Sequence, residues 1–280
     1  MLKTEVLNME YLYPSKEVKG YSQVVKAGKD MEFCGLGLLK LNANEVCSLK
    51  TNDEEAALVI LSGKCNVVVN GKEFIGLGER KDVFSGNPAS VYIPIQSSFK
   101  VEEAQGFVLE AAVVSAKAEK KFEPFVVMPK EVACDHRGIL NYQRDVRDII
   151  VANGEGKVHR IVVGETISCP GQWSSYPSHK HDDYNPPYEA KMEEVYYFKI
   201  KPEEGFGVQV MYNDDLSLRK AYMLKDGDTV IIPEGYHPVA AAPGFQVYYL
   251  WVMAGDYGRK LVPKDDPKLA WLSNVAPLLK

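Results

Sequence analysis

The sequence predicts an all-β protein built as two tandem barrels, and three observations predict it. Short segments rich in Val, Ile, Tyr and Phe recur along the whole chain. Turn clusters containing Gly, Asn and Asp separate them, and long helical periodicity is nearly absent. The chain also matches itself. Glu54-Glu55-Ala56-Ala57-Leu58-Val59-Ile60 reads like Glu193-Glu194-Val195-Tyr196-Tyr197-Phe198, and Val91-Tyr92-Ile93-Pro94 reads like Val230-Ile231-Ile232-Pro233. Both matches fall at one offset of 139 positions, 194 − 55 and 233 − 94.

Taken in order, the expected strands are Ala57–Leu61, Cys65–Val69, Ser90–Ile93, Phe107–Val114, Arg160–Val163, Val195–Ile200, Gly207–Tyr212, Thr229–Ile232 and Gln246–Met253. Asn70-Gly71 has the chemistry of a two-residue hairpin loop, whose central positions both need positive φ. Leu61-Ser62-Gly63-Lys64 and Lys225-Asp226-Gly227-Asp228 are further turns. Helical character is confined to the tail, where Asp266 offers an N-cap and Pro267 an N1 proline before a short amphipathic stretch, Lys268–Leu279. Many short strands at regular spacing indicate sandwiches or barrels. Ser115–Glu131, with two prolines and Ala-Lys-Ala-Glu-Lys-Lys, is the linker candidate. The expected division is a first barrel over 1–115, a linker over 116–135 and a second barrel with its tail over 136–280.

Composition narrows the functional classes. A length of 280 residues allows one large or two small domains with ample core. Apolar content of 46% and charged content of 25% are those of an ordinary globular protein. The net charge of −5 and the lack of a basic run with interleaved aromatics argue against a nucleic-acid or anionic-membrane partner. Met1-Leu2-Lys3-Thr4-Glu5 is unlike the start of a signal peptide, and no apolar run approaches the ~18 residues of a membrane span. A cytoplasmic protein that assembles as a homo-oligomer is expected. The five cysteines are scattered without a C-x-x-C pair, so buried, reduced thiols are expected, Cys169 among them.

The chemistry-bearing pattern is His179-Lys180-His181, then Glu194 at the head of an apolar run, then His237 after Pro233-Glu234-Gly235-Tyr236. On a strand, residues i and i+2 share a face, so His179 and His181 can aim two imidazoles at one point. A carboxylate and a third imidazole from later strands complete a mixed N/O shell for one divalent ion per chain: Zn²⁺, Mn²⁺, Fe²⁺ or Ni²⁺. Carrying the repeat offset from His237 lands on Ser98, and no histidine precedes His136. The first barrel is therefore expected to be metal-free, with Glu55 no ligand.

These residues resemble the metal-binding signature of the cupin superfamily. More narrowly, Trp173-Ser174-Ser175-Tyr176-Pro177-Ser178-His179-Lys180-His181-Asp182 is similar to the signature of 5-deoxy-glucuronate isomerases, the bicupin enzymes of inositol catabolism. So are Glu193-Glu194-Val195-Tyr196-Tyr197-Phe198, Pro233-Glu234-Gly235-Tyr236-His237-Pro238 and Tyr248–Gly255. The likeness is densest from about Arg160 to Gly255, and Pro177-Ser178 departs from the family's Pro-Pro. The resemblance implies two jelly-roll cupin barrels. It also implies aldose–ketose isomerisation of a sugar acid, 5-deoxy-D-glucuronate to 5-dehydro-2-deoxy-D-gluconate. It favours Glu194 over Glu193 as ligand, because Glu194 directly precedes the Val-Tyr-Tyr-Phe strand.

Such a reaction needs a Lewis acid to stabilise a developing enediolate and a base to move the proton between neighbouring carbons. Glu165, in a segment expected to line the same barrel, is the first candidate base, with Tyr248 or Tyr249 behind it. Arg160 is the candidate partner of the substrate carboxylate, and Lys180 a weaker one because alternation turns it from the histidines. Arg144 and Arg147 read as surface charges, Asp182 and Asp183 as solvated loop acids, and His136 and His159 fall outside the ligand set. Two other readings share the ligand pattern, a 4-deoxy-uronate isomerase and a metal-dependent dioxygenase; a third, a non-catalytic sugar-binding cupin, needs no complete metal shell.

Overall fold

The computed structural model describes residues 11–278; Met1–Glu5 and Leu279, both used in the sequence reading, lie outside the described residues. Both barrels are made of antiparallel sheets. In the first, a six-stranded sheet runs in the spatial order Phe125–Val127, Ser90–Ile93, Glu54–Ser62, Leu109–Lys117, Cys34–Leu41, Gly20–Val25. It packs on a four-stranded sheet of Val46–Thr51, Ser97–Glu103, Cys65–Val69 and Lys72–Leu77. In the second, the large sheet runs Leu12–Tyr13, Thr229–Ile232, Glu193–Lys201, Gln246–Ala254, Val162–Ser168, Arg144–Ile150, Ala133–Arg137. Its smaller sheet holds Trp173–Ser174, Val239–Ala241, Gly207–Tyr212 and Arg219–Leu224. The repeat is real in three dimensions. Glu54–Ser62 and Glu193–Lys201 differ by 139 positions at both ends, as do Ser90–Ile93 and Thr229–Ile232. These are two tandem cupin barrels.

Local chemistry explains the connections. Asn70 and Gly71 sit at φ 50° and 88° between Cys65–Val69 and Lys72–Leu77, as a tight hairpin turn of the right twist requires. In the tail, the Asp266 carboxylate accepts from the Lys268 N–H at 2.9 Å and caps a 3₁₀ turn over Pro267–Leu269 that leads into the helix Ala270–Val275. Among the described residues no helix is long and apolar enough to cross a membrane. Two expectations need correction. Leu12–Tyr13, expected in the first barrel, hydrogen-bonds to Thr229–Ile232 at the edge of the second barrel's sheet. Of the five unpaired cysteines, Cys34 and Cys65 are buried, but Cys134 and Cys169 are exposed.

The large sheets of the two barrels pack face to face, so their central strands are buried on both sides. Alternate residues of one strand therefore serve different cores. Ala56, Leu58 and Ile60 fill the first barrel, whereas Ala57, Val59 and Leu61 join the layer shared with the second. Two carboxylates fasten this layer reciprocally. Glu55 accepts hydrogen bonds from the backbone N–H groups of His159, Arg160 and Ile161, which lead into Val162–Ser168, and from the Tyr92 hydroxyl. Glu193 accepts from the N–H groups of Glu32, Phe33 and Cys34, at the start of Cys34–Leu41. Each barrel thus satisfies three backbone donors at the same point of the other. Glu55→Ala would strand those buried donors, at a cost of roughly 3 kcal/mol. Denaturation should show that loss with the second barrel's metal capacity unchanged; an unaltered midpoint would refute the clasp.

Candidate metal centre and its pocket

His181, Glu194 and His237 are buried, and their ligand atoms all lie within 4.8 Å of one another. Strand parity brings them there. Glu194 shares its face with Tyr196 and Phe198, the barrel interior, while Glu193 faces the first barrel. The two imidazole tautomers are fixed from behind. His181 Nδ1 donates to the Met192 carbonyl, and His237 Nδ1 donates to the Gly235 carbonyl at 2.8 Å. Both Nε2 atoms then lie 3.3 Å from the same Glu194 oxygen, and that of His237 is buried without a hydrogen-bond partner. Asp182, read as a solvated acid, instead accepts from the Gly235 N–H at 2.7 Å and so holds the turn that aims His237. His179 stands beside the trio, its ring centre 4.9 Å from that of His237 and 6.5 Å from that of His181.

Imidazole lone pairs converging on a carboxylate suit a bound cation, and the residues fit a divalent ion of the N/O type. The electrostatics without one are informative. Burial, then the neighbouring His237 and His181, depress the His179 pKa to about 3. Burial would raise Glu194, but His181 and His237 outweigh it and hold the carboxyl at about 2. Burial also opposes the His181 imidazolium, yet the Glu194 hydrogen bond and charge prevail and raise its pKa.

A cavity of about 390 Å³ opens onto this cluster. Tyr196, Tyr249 and Trp251 form one wall, and Arg144, Val146 and Asp148 another. Ser175, at φ 48°, bridges the Tyr196 and Tyr249 hydroxyls at 3.1 and 3.2 Å. Burial raises the pKa of both phenols, so they stay protonated. The Asp148 carboxylate is half-buried, has no hydrogen bond among the described residues, and is raised in pKa chiefly by burial.

Several expected residues lie elsewhere. Glu165 points into the inter-barrel layer, where it takes Arg80 at 2.8 Å, Arg147 at 2.9 Å and the Tyr248 hydroxyl at 2.9 Å. The reason is parity: Thr166 and Tyr249 face the cavity, so Glu165 and Tyr248 cannot. Arg147 is buried in that network rather than on the surface. Arg160 pairs with Glu119 and Asp256 and lies over Phe33, outside the cavity. Lys180 pairs with Asp214 and Asp182. His136 is exposed beside Asp145, and His159 Nδ1 accepts from the Glu119 N–H. The cavity residues that sequence reading passed over are Arg144 and Asp148. Arg144-Asp145-Val146-Arg147-Asp148 offered no hydrophobic alternation to show which face is buried.

The chain and its fold have counterparts among known proteins. A 5-deoxy-glucuronate isomerase of Geobacillus thermodenitrificans (strain NG80-2) is 37% identical over 242 residues, covering 86% of each chain. The crystal structure of an IolB-like protein from Salmonella typhimurium LT2 superposes with a TM-score of 0.88 at 31% identity, over 94% of this chain and 99% of that one. The oxalate decarboxylase of Lactobacillus farciminis, solved as a formate complex, shares the fold, with a TM-score of 0.65 at 11% identity over 95% and 90% of the two chains. The sequence profile of the KduI/IolB family matches residues 11–272, so that both barrels fall within it, and the chain belongs to that family.

Proposed function

We propose that the chain is a cytoplasmic aldose–ketose isomerase that converts 5-deoxy-D-glucuronate to 5-dehydro-2-deoxy-D-gluconate, with one divalent ion held by His181, Glu194 and His237 and joined by His179. One observation carries this reading. A cation-shaped cluster of three ligands sits at one end of a sugar-sized cavity that also holds a half-buried carboxylate with no hydrogen bond to a described residue. The identity of the Geobacillus relative supports the substrate.

When bound, the ion would supply Lewis-acid polarisation of the substrate's carbonyl and hydroxyl oxygens. The chain's own residues do the rest. Asp148 is the proton carrier: burial outweighs the charge of nearby Arg137 and makes it more basic than an ordinary carboxylate, and it has no hydrogen bond to a described residue. The Tyr196 and Tyr249 phenols stay protonated and donate hydrogen bonds to the sugar oxygens. Ser175 fixes both hydroxyls at once.

Purified protein should consume 5-deoxy-glucuronate only while it retains its ion and without taking up oxygen. Faster turnover of a 4-deoxy-uronate, or oxygen consumption with turnover, would replace the reading. His237→Ala should lose ion and activity together. Asp148→Asn should keep the ion while turnover falls roughly 10²–10⁴-fold, the range of a general base. Glu165→Gln should turn over within a few-fold of the parent but unfold more easily, the reverse of what a base would show.

The pH dependence of ion binding has a definite sign. Glu194 and His179, at about 2 and about 3, are already deprotonated near neutrality. His181, whose pKa is raised by Glu194, holds a competing proton to a higher pH than an ordinary histidine, and the ion must displace it. Affinity should therefore rise with pH through the histidine range and then level off, as titration calorimetry at several pH values would read. A flat profile would show that His181 is neutral beforehand.

A further inference from the structure

Arg144 and Arg137 stand directly opposite each other on neighbouring strands, and both line the cavity that ends at the histidine cluster. Like charges so placed repel, and the arrangement destabilises a sheet unless something between them offsets it. Arg137 is exposed and pairs with Asp135 at 3.0 Å. Arg144 forms no such ion pair, although Asp265 lies near enough to feel its charge. Its guanidinium is half-buried, its recorded hydrogen bond goes to the Tyr142 carbonyl at 3.2 Å, and it forms no ion pair with any described carboxylate. Its charge is felt at His179, Tyr196 and Tyr249, which places it on the cavity wall next to the ligand cluster. Gly138, at φ +89°, leaves it room: a Cβ there would come within 3.0 Å of Arg144 Nη1.

We propose that Arg144, with Arg137 at the rim, is the receptor for the carboxylate of a sugar acid. A planar guanidinium that faces a cavity and makes no ion pair there suits two parallel N–H···O bonds to a carboxylate. A bound carboxylate would also neutralise the repulsion between the two strands. The anion would be anchored at this wall while the sugar's other end faces His181, Glu194 and His237, so the pair selects acidic over neutral sugars. The inference rests on the cavity being the substrate site.

The test compares D-glucuronate with D-glucose, which differ in the carboxylate, by calorimetry on the metal-loaded protein. Steady-state kinetics with 5-deoxy-glucuronate run alongside. The parent should prefer glucuronate, and Arg144→Gln should abolish that preference and raise KM about 10²-fold with kcat changed far less. Arg144→Lys, which keeps the charge but not the fork, should fall between them, and Arg137→Gln should raise KM only a few-fold. Metal content and circular dichroism matching the parent certify the fold of each variant. If the parent fails to isomerise 5-deoxy-glucuronate yet prefers glucuronate through Arg144, the receptor stands and the proposed reaction falls. If it isomerises but Arg144→Gln keeps the parental KM and preference, the receptor is overturned and the reaction stands. Equal losses for glucuronate and glucose would likewise overturn it, by making Arg144 a support of the pocket wall.

Discussion

The sheet containing Val162–Ser168, Glu193–Lys201 and Gln246–Ala254 is pressed on one face against the first barrel and on the other encloses the histidine–glutamate cluster. Neither face meets bulk water, so a strand cannot place a polar group on either without giving it a task. Parity sets the task. Glu194, Tyr196, Tyr249, Trp251 and Thr166 face the cavity; Glu193, Tyr248 and Glu165 face the first barrel. A slip of one residue would exchange the two sets, which is why pairing in this sheet must be strongly fixed.

The fixing is done by buried carboxylates that are not ligands. Glu55 and Glu193 each hold three successive N–H groups of the opposite barrel, and Glu165 gathers Arg80, Arg147 and Tyr248. Such networks are weak sources of net stability, because desolvating the charges offsets most of their attraction. Arg80 Nη2 and Arg147 Nε even remain without partners. What they confer is directionality: apolar faces can slide across one another, whereas three N–H groups on one carboxylate cannot. In strand register Glu55 is the counterpart of Glu193, because Ala56 pairs with Ile93 as Glu194 pairs with Ile232, so the first barrel has an alanine where the second has its buried interior carboxylate. The first barrel interior is packed with Leu58, Ile60, Val67 and Phe99.

Much of this was legible in the sequence. The repeat offset predicts strand limits that hold at both ends in two pairs of strands, because β-branched and aromatic runs bounded by Gly and Pro leave few alternatives. Three of the four expected ligands meet within 4.8 Å, with His179 alongside. Which charged residues line the cavity beside those ligands was not legible. Val162–Ser168 is buried at every position, so it lacks the alternation that would have told Glu165 from Thr166. Arg144–Ile150 mixes charges on both faces for opposite reasons: Arg147 meets a carboxylate of its own chain, whereas Arg144 faces the cavity. Only the three-dimensional neighbours separate those two arginines.

The same two strands thus carry the inter-barrel network on their backs and the pocket wall on their fronts. Arg147 and Glu165 are cross-strand partners, and Arg144 and Asp148 lie on the first of these strands with opposite parity to Arg147. A rotation of that strand would swing Arg144 and Asp148 as well, and Glu165→Gln, which keeps an acceptor for Arg80, would still oppose it. Proton transfer between neighbouring carbons tolerates little of this, since misplacement by about 1 Å can cost about 10²-fold in rate. A first barrel whose described residues hold no ligand cluster is therefore not superfluous. Through Arg80, it supplies the rigid backing against which the pocket's charged wall is held.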